Sequence, residues 1–287
     1  MQEYYPLFLT ALIFTFFASI QDLRKREVAN WLNFSLLTFA LAYRLIYSIY
    51  FDKYYFLFYG LVGFAIFFGL ANLFYYSKVF AGGDAKLLMA FGVVIPFNSL
   101  YDLIALSVAF IFVLFTLGAI YSVFYSIIIS INNLDKFKRR FPKELKTNKK
   151  NVLLGLGLAI ILYILTTISK IDSTMSLYGI ILLIFMPFIY IYLKTVENSC
   201  LIRLVSPQDL TEGDWLEKEV RIDGKMIKRS VHGLNIEEIR KIRKANKKVW
   251  IKYGVPFVPA FLFALVFMVL FYSFSGLAYL HQIFYLF

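Results

Sequence analysis

Long apolar runs without charge limit what this chain can fold into. Residues 54–77 contain no Asp, Glu, Lys or Arg, and residues 87–101 contain none either. Comparable runs cover 4–21, 31–50, 103–131, 152–169, 173–193 and 255–275. A helix that crosses a bilayer takes about 20 mainly apolar residues. The runs are continuous rather than alternating, which favours helices over the strands of a barrel. At 60% hydrophobic and 20% aromatic, the chain carries more apolar surface than a soluble core of 287 residues needs. The expected fold class is an all-α polytopic membrane protein of about six to eight transmembrane helices, with a small α+β cytoplasmic subdomain. Eight spans is the count the runs suggest. The run 84–100 is the shortest, because its uncharged part of about 15 residues reaches roughly 22 Å against a hydrocarbon core of roughly 30 Å.

Charge sits between the runs. With the N-terminus outside, segments 22–30, 78–86, 132–151 and 194–254 face inward and hold 27 of the 30 Lys and Arg. This bias follows the positive-inside rule and accounts for the net charge of +12 without a nucleic-acid partner. The expected location is the plasma membrane, multi-pass, in contact with the lipid bilayer. Lys53 and Lys170 fall outside, and Arg44 is expected to snorkel towards that outer surface. The expected domains are a transmembrane core at 1–131, a basic loop and helix pair at 132–193, a soluble cytoplasmic segment at 194–254 and a last helix at 255–287. Within 194–254, Val220–Ile227 reads as a hairpin turning at Asp223-Gly224. Asn235, with Glu238 three residues on, reads as the cap of a basic helix over 236–249. That helix carries Arg240, Lys241, Arg243, Lys244, Lys247 and Lys248, a face for anionic lipid heads or simply a solvated one. The first run is preceded only by Met1-Gln2-Glu3, without a basic region, so no cleaved signal peptide is expected.

Two carboxylates close apolar runs on the inner side. Asp22 ends the first run, and Asp84 follows Phe80-Ala81-Gly82-Gly83 at the start of the short fourth. Ionisable groups at membrane depth are functional candidates by default. Two carboxyls brought close cannot both ionise easily, so they share a proton, and one then activates water while the other polarises a carbonyl. The helix macrodipole favours charge at a helix start and disfavours it at a helix end, which makes Asp84 the expected base and Asp22 the proton carrier. Lys86 adds positive charge beside Asp84. Gly82 and Gly83 tolerate unusual dihedrals, and serve either to break the helix between spans or to let a substrate strand reach Asp84.

These two regions resemble the GxGD family of membrane aspartyl proteases. They are most similar to type IV prepilin peptidases and, among those, to the archaeal preflagellin and prepilin peptidases. The resemblance rests on Asp22 with the following Val28-Ala29-Asn30-Trp31-Leu32, on Ala81-Gly82-Gly83-Asp84-Ala85-Lys86-Leu87-Leu88, and on Lys252-Tyr253-Gly254-Val255-Pro256-Phe257-Val258-Pro259 before the last helix. It departs at position 81, where Ala replaces the first glycine of Gly-x-Gly-Asp. The resemblance implies an aspartic endopeptidase that removes the short basic leader of a prepilin or preflagellin precursor at the cytoplasmic face. Asp22 and Asp84 would be catalytic, Gly82, Gly83 and Lys86 would shape the site, and no cofactor or metal is expected. Cys200 is the single cysteine, so the Cys-rich insert and methyltransferase activity of bacterial relatives are not expected.

Other signals carry less chemistry. His232 and His281 stand alone, whereas metals need several ligands. Gly213-Asp214 has no apolar run beside it. Tyr101-Asp102 follows the glycine-Asp motif instead of preceding it, unlike presenilin-type proteases. Ser77-Lys78 is too thin for a Ser–Lys protease. The acidic residues Asp209, Glu212, Asp214, Glu217 and Glu219 are a candidate dock for a basic leader. The alternative functions are a non-catalytic scaffold of pilus or archaellum assembly and an ion-coupled carrier. A carrier would place its carboxylates nearer the midplane and would show paired halves, which this sequence lacks.

Overall fold

Lipid tails are as apolar as leucine, so helices in a bilayer associate by close packing rather than by escaping water. Small residues decide where backbones can meet. The computed structural model describes residues 2–169, 173–222, 224–230 and 233–275. Lys170, Asp223, His232, His281 and the apolar tail 276–287 lie outside the described residues. Among the described residues, six helices are long and apolar enough to cross a membrane. Of the eight expected spans, the other two form shorter helices.

The chain divides into two units, the first made of residues 1–123 and 255–287. Within it, helices α1 (Tyr5–Lys25), α2 (Asn30–Tyr50) and α3 (Tyr54–Tyr76) are followed by the short α4 (Gly82–Val94), α5 (Leu100–Asn132, its 100–123 part) and a last helix, α10 (Val258–Ser275). At 13 residues, α4 is about 20 Å long. It ends before Pro96, which has no N–H to continue the ladder. Nine of its residues are buried, from Asp84 to Val94. A Cβ at Gly63 on α3 would collide with the Gly92 carbonyl on α4, so the two helices touch backbone to backbone there. The core around them is aromatic: Phe8, Phe56, Phe67, Phe91, Phe110 and Phe261 are all fully buried.

Arg44 corrects the sequence expectation. It does not reach for the outer surface but is fully buried. Its Nε donates to the Val93 carbonyl (2.6 Å), Nη1 to Phe56 (2.6 Å) and Nη2 to Ile95 (2.8 Å). Carbonyls left open at the end of α4 hold it inside, where snorkelling would leave them without donors.

The second unit covers residues 124–254. The basic loop folds as α6 (Leu134–Thr147), followed by α7 (Lys149–Ile168) and α8 (Ser173–Ser199). Glu144 of α6 is buried and accepts hydrogen bonds from Arg140 Nε (2.9 Å) and Asn198 Nδ2 (3.0 Å), tying α6 to α8. The polar segment then forms an antiparallel sheet of β1 (Ile202–Val205), β5 (Val249–Lys252) and β2 (Trp215–Leu216), in the order β1-β5-β2. The expected hairpin is present as β3 (Val220–Ile222) paired with β4 (Lys225–Ile227). Asn235 caps α9 (Ile236–Lys244) by accepting from the Glu238 N–H, and Glu238 returns the bond to the Asn235 N–H. The helix stops at Lys244 and does not run to 249 as expected. Asn246 takes a left-handed φ of 45°, and Val249 and Ile251 are needed inward on β5. Arg243 donates to the carbonyls of Pro207 and Leu210, so it holds the fold instead of standing free on a basic face.

Candidate active site

The site is built where one end of α1 meets the beginnings of α2, α4 and α10. Alpha-helix α1 closes with Arg26 in a left-handed conformation (φ 60°), its N–H bonded to the Asp22 carbonyl at 2.8 Å. This places Asp22 in the last full turn, 6% exposed. The neighbouring Gln21 Oε1 accepts from the Ala29 N–H (3.1 Å), which pins the short link into α2. Sequence reasoning gave Gln21 no role.

Asp84 stands in the first turn of α4 and is 9% exposed. Its Oδ2 accepts from the Ala81 N–H at 3.2 Å, one of the donors a helix start leaves open. The stretch before it is anchored by Phe80, whose ring packs on Phe115, Phe257 and Phe261. Asn33 of α2 donates from Nδ2 to the Gly83 carbonyl (3.2 Å). Lys86 donates from Nζ to Asn30 Oδ1 (2.7 Å), so it ties α4 to α2. Gly83, the residue before Asp84, lies against Val28 in the link that follows α1. The structure thus brings Asp22, Asp84, Gly82, Gly83 and Lys86 to one end of the same bundle.

Two expectations change here. Gly82 and Gly83 do not adopt a glycine-only conformation; the reversal between α3 and α4 is made by Lys78 at φ 63°. A Cβ on Gly83 would make only ordinary contact with Val28, at 3.5 Å. What remains of the glycines' role is the open backbone they leave at the start of α4. The second change concerns the field on Asp22. Its Oδ2 accepts from the Val258 N–H at 2.9 Å, and the Phe257 N–H adds to it. Val258 is the first residue of α10, so Asp22 lies at the negative end of α1 and at the positive end of α10. The dipole argument that set the two carboxyls apart no longer distinguishes them. The only sequence hint of this donor was Pro256 and Pro259 marking the start of the last helix.

The remaining candidates lie elsewhere. Gly213-Asp214 forms a turn: Asp214 Oδ2 accepts from the Thr211 N–H, and its carbonyl accepts from Leu234. Asp214 is therefore in part a turn-forming member of the acidic cluster. Asp102 is buried in the first turn of α5, its N–H bonded to Ser99 Oγ (3.0 Å). Among the described residues no group of three or more His, Cys, Asp or Glu is placed to hold a metal ion.

Both carboxyls are buried, stand on separate helices and face a backbone donor; two carboxyls within about 3 Å of each other can share a proton. Residues 9–131 match the model of the type IV leader peptidase family, a stretch that includes both Asp22 and Asp84. Neither the curated proteins nor the solved structures give a significant match to the chain.

Proposed function

We propose, from the premise that this chain is a type IV leader peptidase-like membrane protein, that it cleaves the leader of a prepilin or preflagellin precursor with Asp22 and Asp84 as catalytic residues. The observation that supports this reading is that two buried carboxyls, one at the start of α4 and one at the end of α1, both fall within the matched region. The pair holds one proton. The ionised carboxylate takes a proton from water, and the water oxygen bonds to the scissile carbonyl carbon. The protonated carboxyl donates to the carbonyl oxygen. The tetrahedral adduct then collapses as the amide nitrogen takes a proton and the C–N bond breaks. The two carboxyls titrate as a unit, so neither role is assigned to one residue alone.

The charge distribution supports action at the cytoplasmic face. Asp22 and Asp84 adjoin segments that belong to the Lys- and Arg-rich side, where a precursor with a basic leader and an apolar helix would present its junction. Gly82 and Gly83 leave backbone accessible beside Asp84 for an extended strand.

The test is cleavage of a leader-bearing prepilin or preflagellin by membranes carrying the protein, with Asp22→Asn and Asp84→Asn run beside the wild type. Each variant should lose about 100-fold or more in rate at normal protein levels, the scale of a lost acid or base. Cleavage that survives in either variant overturns the two-carboxylate mechanism. A wild type that cleaves no precursor shifts the reading to an assembly scaffold.

A further inference from the structure

Arg44 is the least expected charge in the molecule. It is fully buried in a unit whose helices are apolar enough for a bilayer. Among the described residues it forms no ion pair with a carboxylate. It donates three hydrogen bonds to main-chain carbonyls, two of them at the closing end of α4.

Those carbonyls need a donor. Pro96 has no N–H to offer the turn before it, and the Phe97 N–H turns to the Ile95 carbonyl at 3.0 Å. The Val93 carbonyl therefore takes Arg44 Nε, and Ile95 takes Nη2 as well. A cation at this point also faces the negative end of the α4 dipole. The surroundings are shaped to receive it. The guanidinium carbon lies 4.6 Å from the centroid of the Phe56 ring and 5.4 Å from that of Tyr4, distances at which a cation is attracted to the ring face. Gly60 makes room, since a Cβ there would run into the Arg44 side chain. Tyr4 OH meets the Phe97 carbonyl (2.9 Å) and Asn98 Oδ1 (2.8 Å), which fastens the segment beyond Pro96 to the start of α1.

We propose that Arg44 is a positioning residue for the carboxyl pair, acting through α4. It clamps the closing end of that helix to α2 and α3 and so fixes how far the opening end, with Asp84, extends towards Asp22. The lever is short: ten residues of helix separate Asp84 from Val94, about 15 Å. A buried helix shifts as a unit, so a displacement at one end reappears at the other. The inference rests on the peptidase reading for its consequence, but the placement of α4 can be measured without any cleavage.

The experiment joins Val28→Cys and Gly83→Cys in a Cys200→Ala background. The Cβ positions at 28 and 83 lie 3.5 Å apart, within the range a disulfide bridges. Arg44→Met, Arg44→Lys and Gly60→Ala are compared with the parent pair in detergent, each checked for a wild-type elution profile. Gly60→Ala keeps the charge but pushes the guanidinium off its carbonyls. Arg44→Met and Gly60→Ala should lower the disulfide yield at least fivefold, with Arg44→Lys in between. In single variants without the cysteines, kcat should fall at least tenfold with KM within twofold. Folded Arg44→Met and Gly60→Ala proteins that cross-link like the parent overturn the proposal, whether or not the protein cleaves a precursor. Failure of every variant to fold assigns Arg44 to stability alone and also overturns it. Loss of the cross-link in a protein whose wild type cleaves nothing upholds the positioning of α4 and rejects the peptidase reading.

Discussion

Replacing Val258 by proline removes one N–H from the candidate site while leaving α10 able to form. Val258 is the first residue of that helix, the position where proline is best tolerated, because no intrahelical partner uses its N–H. The partner it does have is Asp22 Oδ2, at 2.9 Å. A hydrogen bond to a charged group contributes about 1.5–3 kcal/mol, and each 1.4 kcal/mol is about tenfold in rate, so the range is roughly ten- to 150-fold in kcat/KM. The Phe257 N–H stays in place beside Asp22, which puts the expected loss near the lower figure, about tenfold. Val258 is fully buried, so packing must be controlled for. Val258→Ala serves this purpose: it discards more side chain than proline does but keeps the N–H. In a leader-cleavage assay, Val258→Pro should fall about tenfold below Val258→Ala. Equal rates for the two, within twofold, would refute the idea that this backbone donor orients Asp22 for the reaction.

Two further outcomes test the packing around the site and the second unit. Gly63→Ala would drive a Cβ into the Gly92 carbonyl and the Phe97 ring, which forces α3 and α4 apart at a cost of about 1–3 kcal/mol. Its melting midpoint in detergent should drop by several degrees, whereas Gly69→Ala, with open space around it, should show no drop. Burial alone would raise the Glu144 carboxyl, but hydrogen bonds from Asn198 and Arg140 outweigh it and hold the group below the usual carboxylate range. Its contribution to stability is therefore present above the ordinary Glu value of about 4.3 and lost as pH falls through the depressed one. The stability gap between wild type and Glu144→Gln should narrow when melting is followed from about pH 6 down to about pH 3. A gap that widens instead would show that Glu144 is not held in its ionised form.

The apolar helices were legible because apolar runs and their charged borders act locally. So were the Asn235–Glu238 cap and the hairpin over 220–227, which depend on residues within a few positions of one another. Asp22 and Asp84 stood out for a similar reason, as each borders an apolar run, Asp22 at its end and Asp84 at its start. The end of α9 was misjudged because β5 pairs with β1, some 45 residues away, and that pairing takes Val249–Lys252 out of the helix. Gly82 and Gly83 looked like the turn, but Lys78 makes it.

The sequence by itself determined the class of fold and the short fourth helix, and it singled out two carboxyls beside apolar runs. Only the tertiary structure decided what each of those groups touches. The Val258 N–H reaches Asp22 across 236 positions, Lys86 reaches Asn30 across 56, and Arg44 reaches Ile95 across 51. Such contacts leave no periodic trace, because a main-chain donor or acceptor is present at nearly every residue. Which one is left open depends on where helices end, and which side chain fills it depends on how closely helices pack. Arg44 shows the difference most clearly: the same residue that reads as a surface anchor from its neighbours in sequence becomes, once α4 stops short at Pro96, the donor that its closing carbonyls require.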